Sequence, residues 1–83
     1  MSTKDKLIER FKKLPKDFTF SELLALFKMY GFTVNNKGAT SGSRVRLERG
    51  SDYYNLHRPH PTPIIKPGAL KAAYAYLKRL KLI

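Results

Sequence analysis

The residues best suited to chemistry are two histidines in one short stretch, His57 and His60. Histidine exchanges a proton near neutral pH, so it is the natural general base or acid. Three arginines, Arg44, Arg46 and Arg58, stand near them in the sequence, and a guanidinium fork can hold a phosphate through two parallel hydrogen bonds. These residue types favour acid–base chemistry at a phosphate group.

The spacing of the two histidines argues against a simple acid–base pair. In an extended strand three residues span about 10 Å and point to opposite faces, so His57 and His60 would meet at one phosphate only through a bend at Pro59. A structural role for His60, bonding backbone carbonyls at the start of the last helix, competes with a catalytic one. His57 is the better candidate for the base, and Tyr53 can stack a nucleobase or donate a proton.

Composition indicates a polyanionic partner. The chain has 83 residues, predicted to form one domain over 1–83, with 17 basic and 6 acidic residues and a net charge of +11. No apolar run reaches the length of a membrane span and no signal peptide is evident, so we expect a cytoplasmic protein that does not bind membranes. Without cysteine, and with few scattered carboxylates, neither a metal site nor a small-molecule cofactor is predicted.

Two helices are expected in the first third of the chain. Apolar spacing predicts the first from Thr3 to Leu14, ended by Pro15. The second begins at a capping box formed by Thr19 and Glu22 and closes near Gly31. Its expected buried stripe is Leu23, Leu24, Leu26, Phe27 and Tyr30.

Three strands follow. Phe32 and Val34 mark a short half-buried strand, and residues 35–43 read as a loop in which Lys37 is a candidate phosphate contact and a plain connector is the alternative. Two alternating runs on either side of Gly50-Ser51 predict a β-hairpin. Its inward residues are Val45, Leu47, Tyr54 and Leu56, and its outward residues are Arg44, Arg46, Tyr53, Asn55 and His57.

A third helix completes the α+β order α-α-β-β-β-α. Four prolines keep the segment after the hairpin extended, and Pro67 suits the first turn of the helix. Its expected buried stripe is Leu70, Ala73, Tyr74, Leu77 and Leu80. One three-stranded antiparallel sheet with all helices on one face leaves the other face open for RNA or another protein.

The strand-to-helix junction carries a recognisable motif. His60-Pro61 followed by Ile65-Lys66-Pro67-Gly68-Ala69-Leu70 resembles the HPxxxLKPGTL signature of HicA toxins. Upstream, Tyr30-Gly31-Phe32 at a helix end and Gly42-Ser43-Arg44-Val45 on a strand are similar to further segments of that family. The resemblance covers roughly residues 19–80, so residues 18–83 form the HicA-like unit and residues 1–15 an extra N-terminal helix.

The resemblance implies a double-stranded-RNA-binding-domain-like fold and a small mRNA interferase. Such a protein cleaves mRNA without a metal and is inhibited by a cognate HicB-like antitoxin. Lys66 and His60 carry over from the family motif, but Arg44 stands where the family has its catalytic histidine. The family's base therefore does not carry over to this position, and His57 on the neighbouring strand is the expected replacement.

Three functions remain open from the sequence. The first is an RNA-cleaving toxin with His57, His60 and Arg44 as catalytic candidates. RNA contacts are then predicted at Arg44, Arg46, Tyr53, Asn55, Arg58, Lys37 and Lys66. The second is a catalytically inactive RNA-binding module of the same fold, and the third is a ribosome-associated basic protein.

Overall fold

A computed structural model describes residues 3–35, 44–59 and 62–83. The elements are helices α1 (Thr3–Lys12) and α2 (Phe20–Met29), strands β1 (Thr33–Asn35), β2 (Arg44–Arg49) and β3 (Asp52–His57), and helix α3 (Pro67–Arg79). The strands form one antiparallel sheet in the order β1-β2-β3. The predicted α+β class and element order are confirmed. Within the described ranges, every helix is too short or too polar to cross a lipid bilayer.

The ends of α2 follow from its sequence. Thr19 Oγ1 accepts the backbone N–H of Glu22 at 3.2 Å, and Glu22 Oε1 accepts that of Thr19 at 2.9 Å, which confirms the capping box. At the other end Gly31 adopts φ +94°, and the N–H of Phe32 bonds the carbonyl of Phe27 at 3.1 Å. This is a Schellman closure, with the rings of Phe27 and Phe32 in edge contact at 5.1 Å.

The hairpin turn fixes which side chains share a face of the sheet. Arg49 pairs with Asp52 across the two-residue loop Gly50-Ser51, and Gly50 has φ +59°, the positive value that a type II′ turn needs at its first position. The register then alternates inward and outward pairs. Val45, Leu47 and Leu56 are buried and Tyr54 is half-buried, whereas Arg44, Arg46, Tyr53, Asn55 and His57 are exposed, as predicted.

The core lies between the sheet and the three helices. Its fully or almost fully buried members are Phe11, Phe18, Leu23, Leu26, Phe27, Phe32, Val45, Leu47, Leu56, Ile65, Leu70, Ala73 and Leu77. Phe11 is the contribution of α1, and its ring centroid lies 5.5 Å from that of Phe18 and 5.7 Å from that of Tyr74. Thus α1 supplies a side chain to the same core as α2 and α3.

Two backbone hydrogen bonds hold the segment before α3. Phe20 donates its N–H to the carbonyl of Pro63, and Ile65 donates to the carbonyl of Phe18, each at 2.8 Å. Because Ile65 is also buried, this short bridge fixes where α3 begins relative to the start of α2. Pro67 occupies the first turn of α3, as predicted.

Candidate nucleic-acid interface

The open face of the sheet brings a histidine and an arginine together. Arg44 on β2 and His57 on β3 are direct cross-strand partners, and both are exposed. Counting from the hydrogen-bonded pair Arg49–Asp52 at the turn, the pair Arg44–His57 falls on a non-hydrogen-bonded position. Side chains at such positions approach most closely, with Cα atoms about 4.5 Å apart. An imidazole and a guanidinium therefore stand side by side, free to meet one phosphate.

A second group on the same face is centred on Arg46. Its guanidinium carbon lies 4.2 Å from the ring centroid of Tyr53, and its Nε donates to Glu48 Oε2 at 2.7 Å. Glu48 also accepts a hydrogen bond from Asn35 Nδ2 at 3.0 Å. The hydrogen bonds from Asn35 and then Arg46 lower the pKa of Glu48, so the carboxylate remains charged and holds Arg46 over the ring.

Tyr53 is the most exposed large apolar side chain among the described residues, at 53%. Arg46 stacks against its ring, and a planar guanidinium can itself stack on a nucleobase. The arrangement gives Arg46 a different position from the phosphate-holding one considered for it from sequence, because Glu48 already takes its Nε. The pair Arg46–Tyr53 is thus suited to base stacking.

A depression of about 240 Å³ lies where β3 meets the start of α3. Its lining residues are His57, Arg58, Pro59, Ile65, Lys66 and Ala69. It brings His57 near Lys66, which are nine positions apart in sequence, because the bridge through Phe18 and Phe20 turns the chain back. The first-turn N–H groups of α3, which lack helical partners, add positive potential at this end. Two cations, Arg58 and Lys66, therefore lie beside the end of β3 that carries His57.

The remaining predicted site residues are distributed as follows. Asn55 lies opposite Arg46 on the open face, and the guanidinium of Arg58 lies 5.7 Å from the ring centroid of Phe20. Lys37 and His60 fall outside the described residues, so the predicted roles of both stay predictions.

Sequence reasoning missed the part played by Tyr76. Its hydroxyl donates to the backbone carbonyl of Tyr53 at 2.9 Å, and its ring lies 4.7 Å from that of Tyr54. Burial raises the pKa of Tyr76, which keeps the hydroxyl protonated as a donor. A signal was present, since Tyr76 stands three residues after Ala73 and four before Leu80, both on the predicted stripe.

Comparison with known proteins gives one family. The family model described as HicA toxin of bacterial toxin-antitoxin matches residues 20–82. The match begins at the first residue of α2 and leaves α1 outside it. Neither the curated proteins nor the solved structures contain a match to the chain.

Proposed function

The chain belongs to the HicA toxin family, the toxin side of a bacterial toxin–antitoxin system, and from that premise we propose that it binds mRNA and cleaves it without a metal at the open face of its sheet. The observation that carries the proposal is the cross-strand pair Arg44–His57. The family resemblance expects a histidine at position 44. An arginine cannot act as a base at neutral pH. A different imidazole, that of His57, lies directly opposite Arg44 on β3 and would take over this role.

Cleavage of RNA without a metal uses the ribose 2′-hydroxyl as nucleophile. A base takes the proton from this hydroxyl, the 2′-oxygen bonds to phosphorus, and the bond to the 5′-oxygen breaks when an acid gives that oxygen a proton. In the proposal His57 is the base. The guanidinium of Arg44 stabilises the extra negative charge on the phosphorane.

The candidate acid for the leaving oxygen is His60, which the family motif supplies and which lies outside the described residues. Lys66 and Arg58 in the lining of the depression add positive charge that holds the phosphate in place. Arg46 on β2 and Tyr53 on β3 bind a nucleobase nearer the hairpin turn, and Tyr53 is about 13 Å from His57 for four residues of strand.

The experiment is cleavage of a labelled single-stranded RNA by the purified chain in excess EDTA. We expect His57→Ala to lower the cleavage rate by about 10²–10⁴-fold, the usual contribution of a general base. Arg44→Ala should lower it by about 10²-fold or more while RNA binding falls only modestly, because its charge acts mainly on the transition state. His60→Ala measures the contribution of the second histidine.

Lys78→Ala is the matched control. Lys78 is exposed on α3, so its replacement by alanine removes one positive charge outside the proposed site. It should cleave at the parental rate. If His57→Ala cleaves as fast as Lys78→Ala, His57 is not the base. Loss of cleavage by the parent on adding EDTA would exclude the metal-free reaction.

A second candidate is a catalytically inactive RNA-binding module of the same fold. The observation that favours it is Arg44 at the position of the family's catalytic histidine. Fluorescence anisotropy with the same RNA distinguishes the two, because this candidate binds without producing fragments. Its binding should weaken as salt rises, since each neutralised phosphate releases counterions.

The partner that we propose is a HicB-like antitoxin covering the open face. Arg44, Arg46 and His57 would then be buried beneath it, which blocks the access of RNA. Hydrogen exchange of the complex tests this, with protection expected on β2 and β3. Protection confined to the helices would contradict it.

A further inference from the structure

The outer edge of the sheet at β3 has backbone groups that point away from the rest of the sheet. In an antiparallel hairpin, residues at non-hydrogen-bonded positions direct their N–H and C=O outward. The register from the turn assigns these positions to Tyr53, Asn55 and His57. Strand order β1-β2-β3 places no strand beyond β3 within the described residues. The outward groups of β3 therefore form an open edge.

Tyr76 confirms the direction of these groups and closes one end of the edge. Its hydroxyl bonds the carbonyl of Tyr53, which is possible only if that carbonyl points away from β2. No comparable bond from the described residues reaches the outward N–H or C=O of Asn55 or His57. An edge of two alternate residues, with two donors and two acceptors, is left for a partner.

Depressions flank this edge on the side of α3. One, of about 420 Å³, lies at the turn end of β3, and its lining includes Asp52, Asn55 and Arg79. The other is the 240 Å³ depression with Arg58 and Lys66 in its lining. An added strand would run past both depressions, so its side chains would lie close to the residues that line them.

We propose that the free edge of β3 accepts an extended segment of an acidic protein partner as a fourth strand, paired to the backbone of Asn55 and His57. This proposal rests on the proposed function, because it specifies how the antitoxin binds the toxin. Strand addition uses main-chain hydrogen bonds for affinity and side-chain pockets for specificity. The added strand would give the antitoxin a backbone contact at the edge of the sheet, besides its proposed contact with the open face.

Charge selects an acidic partner over a second copy of the chain. The charged side chains lining the two depressions are three cations, Arg58, Lys66 and Arg79, and one carboxylate, Asp52. The whole chain carries +11, so a second copy would bring equal positive charge to the same edge. An acidic strand is attracted both by the cations that line the depressions and by the net positive charge of the chain.

The first test uses amide hydrogen exchange, measured by NMR, on the parent chain alone and in complex with the HicB-like antitoxin proposed as its partner. We expect the amides of Asn55 and His57 to exchange at least about tenfold more slowly in the complex, because their outward N–H groups become bonded. Unchanged exchange at both residues in a formed complex would overturn the proposal. Failure of the two proteins to form a complex would also overturn it.

The second test is Asn55→Pro, compared with Asn55→Thr. Proline removes the outward N–H of residue 55 but no bond of the β2–β3 ladder, so it is tolerated at such an edge position. Threonine changes the same side chain and keeps the N–H. We expect Asn55→Pro to bind the acidic protein roughly tenfold or more weakly than Asn55→Thr in calorimetry.

Equal affinity of the two variants for the acidic protein would overturn the proposal. It would also be overturned if sedimentation showed that the free chain forms a dimer and this dimer slowed amide exchange at Asn55 and His57. Circular dichroism checks that Asn55→Pro is folded. If this variant does not fold, the amide exchange measured on the parent decides whether the edge proposal stands. Cleavage of RNA by the free parent is independent of these results. The edge proposal can thus fail while the proposed nuclease stands, and the reverse is also true.

Discussion

Removing the ring of Phe11 should destabilise the whole domain, although α1 lies outside the segment that matches the family model. Phe11 has no exposed surface and contacts the rings of Phe18 and Tyr74. If α1 is part of the folding unit, the cavity left by Phe11→Ala opens between α1, the segment before α2, and α3. If α1 is an appendage, the change affects α1 alone.

The expected cost follows from the burial of the ring. A fully buried phenylalanine hides roughly 200 Å² of surface, worth about 5 kcal/mol at 25 cal/mol per Å², and measured costs of Phe→Ala in cores are about 3–5 kcal/mol. A domain of this length has a free energy of unfolding of about 4–12 kcal/mol. The change therefore removes about a quarter of the stability or more. With a urea m-value of about 1.5 kcal/mol/M, the midpoint falls by about 2–3 M.

Urea unfolding followed by circular dichroism measures this shift. Phe11→Leu, which keeps part of the apolar volume, should cost about 1–2 kcal/mol and remains measurable if the alanine variant does not fold. Glu9→Ala is the control, because Glu9 is exposed on the same helix, and it should change stability by less than about 0.5 kcal/mol. A midpoint for Phe11→Ala equal to that of Glu9→Ala would refute the packing of α1 on the core.

Two further predictions concern the end of α3 and the aromatic cluster. Lys81 has φ +62° in a Schellman closure, where Leu82 donates its N–H to the carbonyl of Leu77 at 3.0 Å. Lys81→Gly should therefore relieve backbone strain and raise the melting temperature by about 2–6 °C in calorimetry. A lower melting temperature would refute this. Burial, and then the charge of Tyr76, raises the pKa of Tyr54 in the folded chain, so the unfolded chain ionises first and stability falls as pH rises above about 10. In Tyr54→Phe the urea midpoint should drop less between pH 8 and pH 11 than in the parent, and equal drops would count against the assignment.

The parts of the fold that the sequence predicted are those that local chemistry decides. The capping box at Thr19 and the glycine at position 31 define both ends of α2 through bonds within a few residues. The turn at Gly50-Ser51 sets the register of the hairpin, and the register alone places Arg44 opposite His57. Each of these features depends on contacts between residues close in sequence, so periodicity and turn type were sufficient.

The parts that the sequence did not predict depend on contacts between distant elements. The depression that joins His57 to Lys66 exists because backbone bonds tie Ile65 to Phe18 and Phe20 to Pro63. No periodicity in either segment indicates that pairing. The stacking of Arg46 on Tyr53, however, could have been predicted from the sequence, because the hairpin register places Arg46 diagonal to Tyr53.

The two proposals meet at His57, whose side chain and backbone serve different partners. Its imidazole faces the open sheet beside Arg44, while its outward N–H and C=O lie on the free edge of β3. A strand added at this edge would fix the backbone of the residue that acts as base, and the body of the partner would stand next to the position of the phosphate. The whole antitoxin should accordingly slow RNA cleavage in proportion to its occupancy of the edge. A short acidic peptide that pairs with Asn55 and His57 lacks the body that covers the open face, so at equal occupancy it should slow cleavage less.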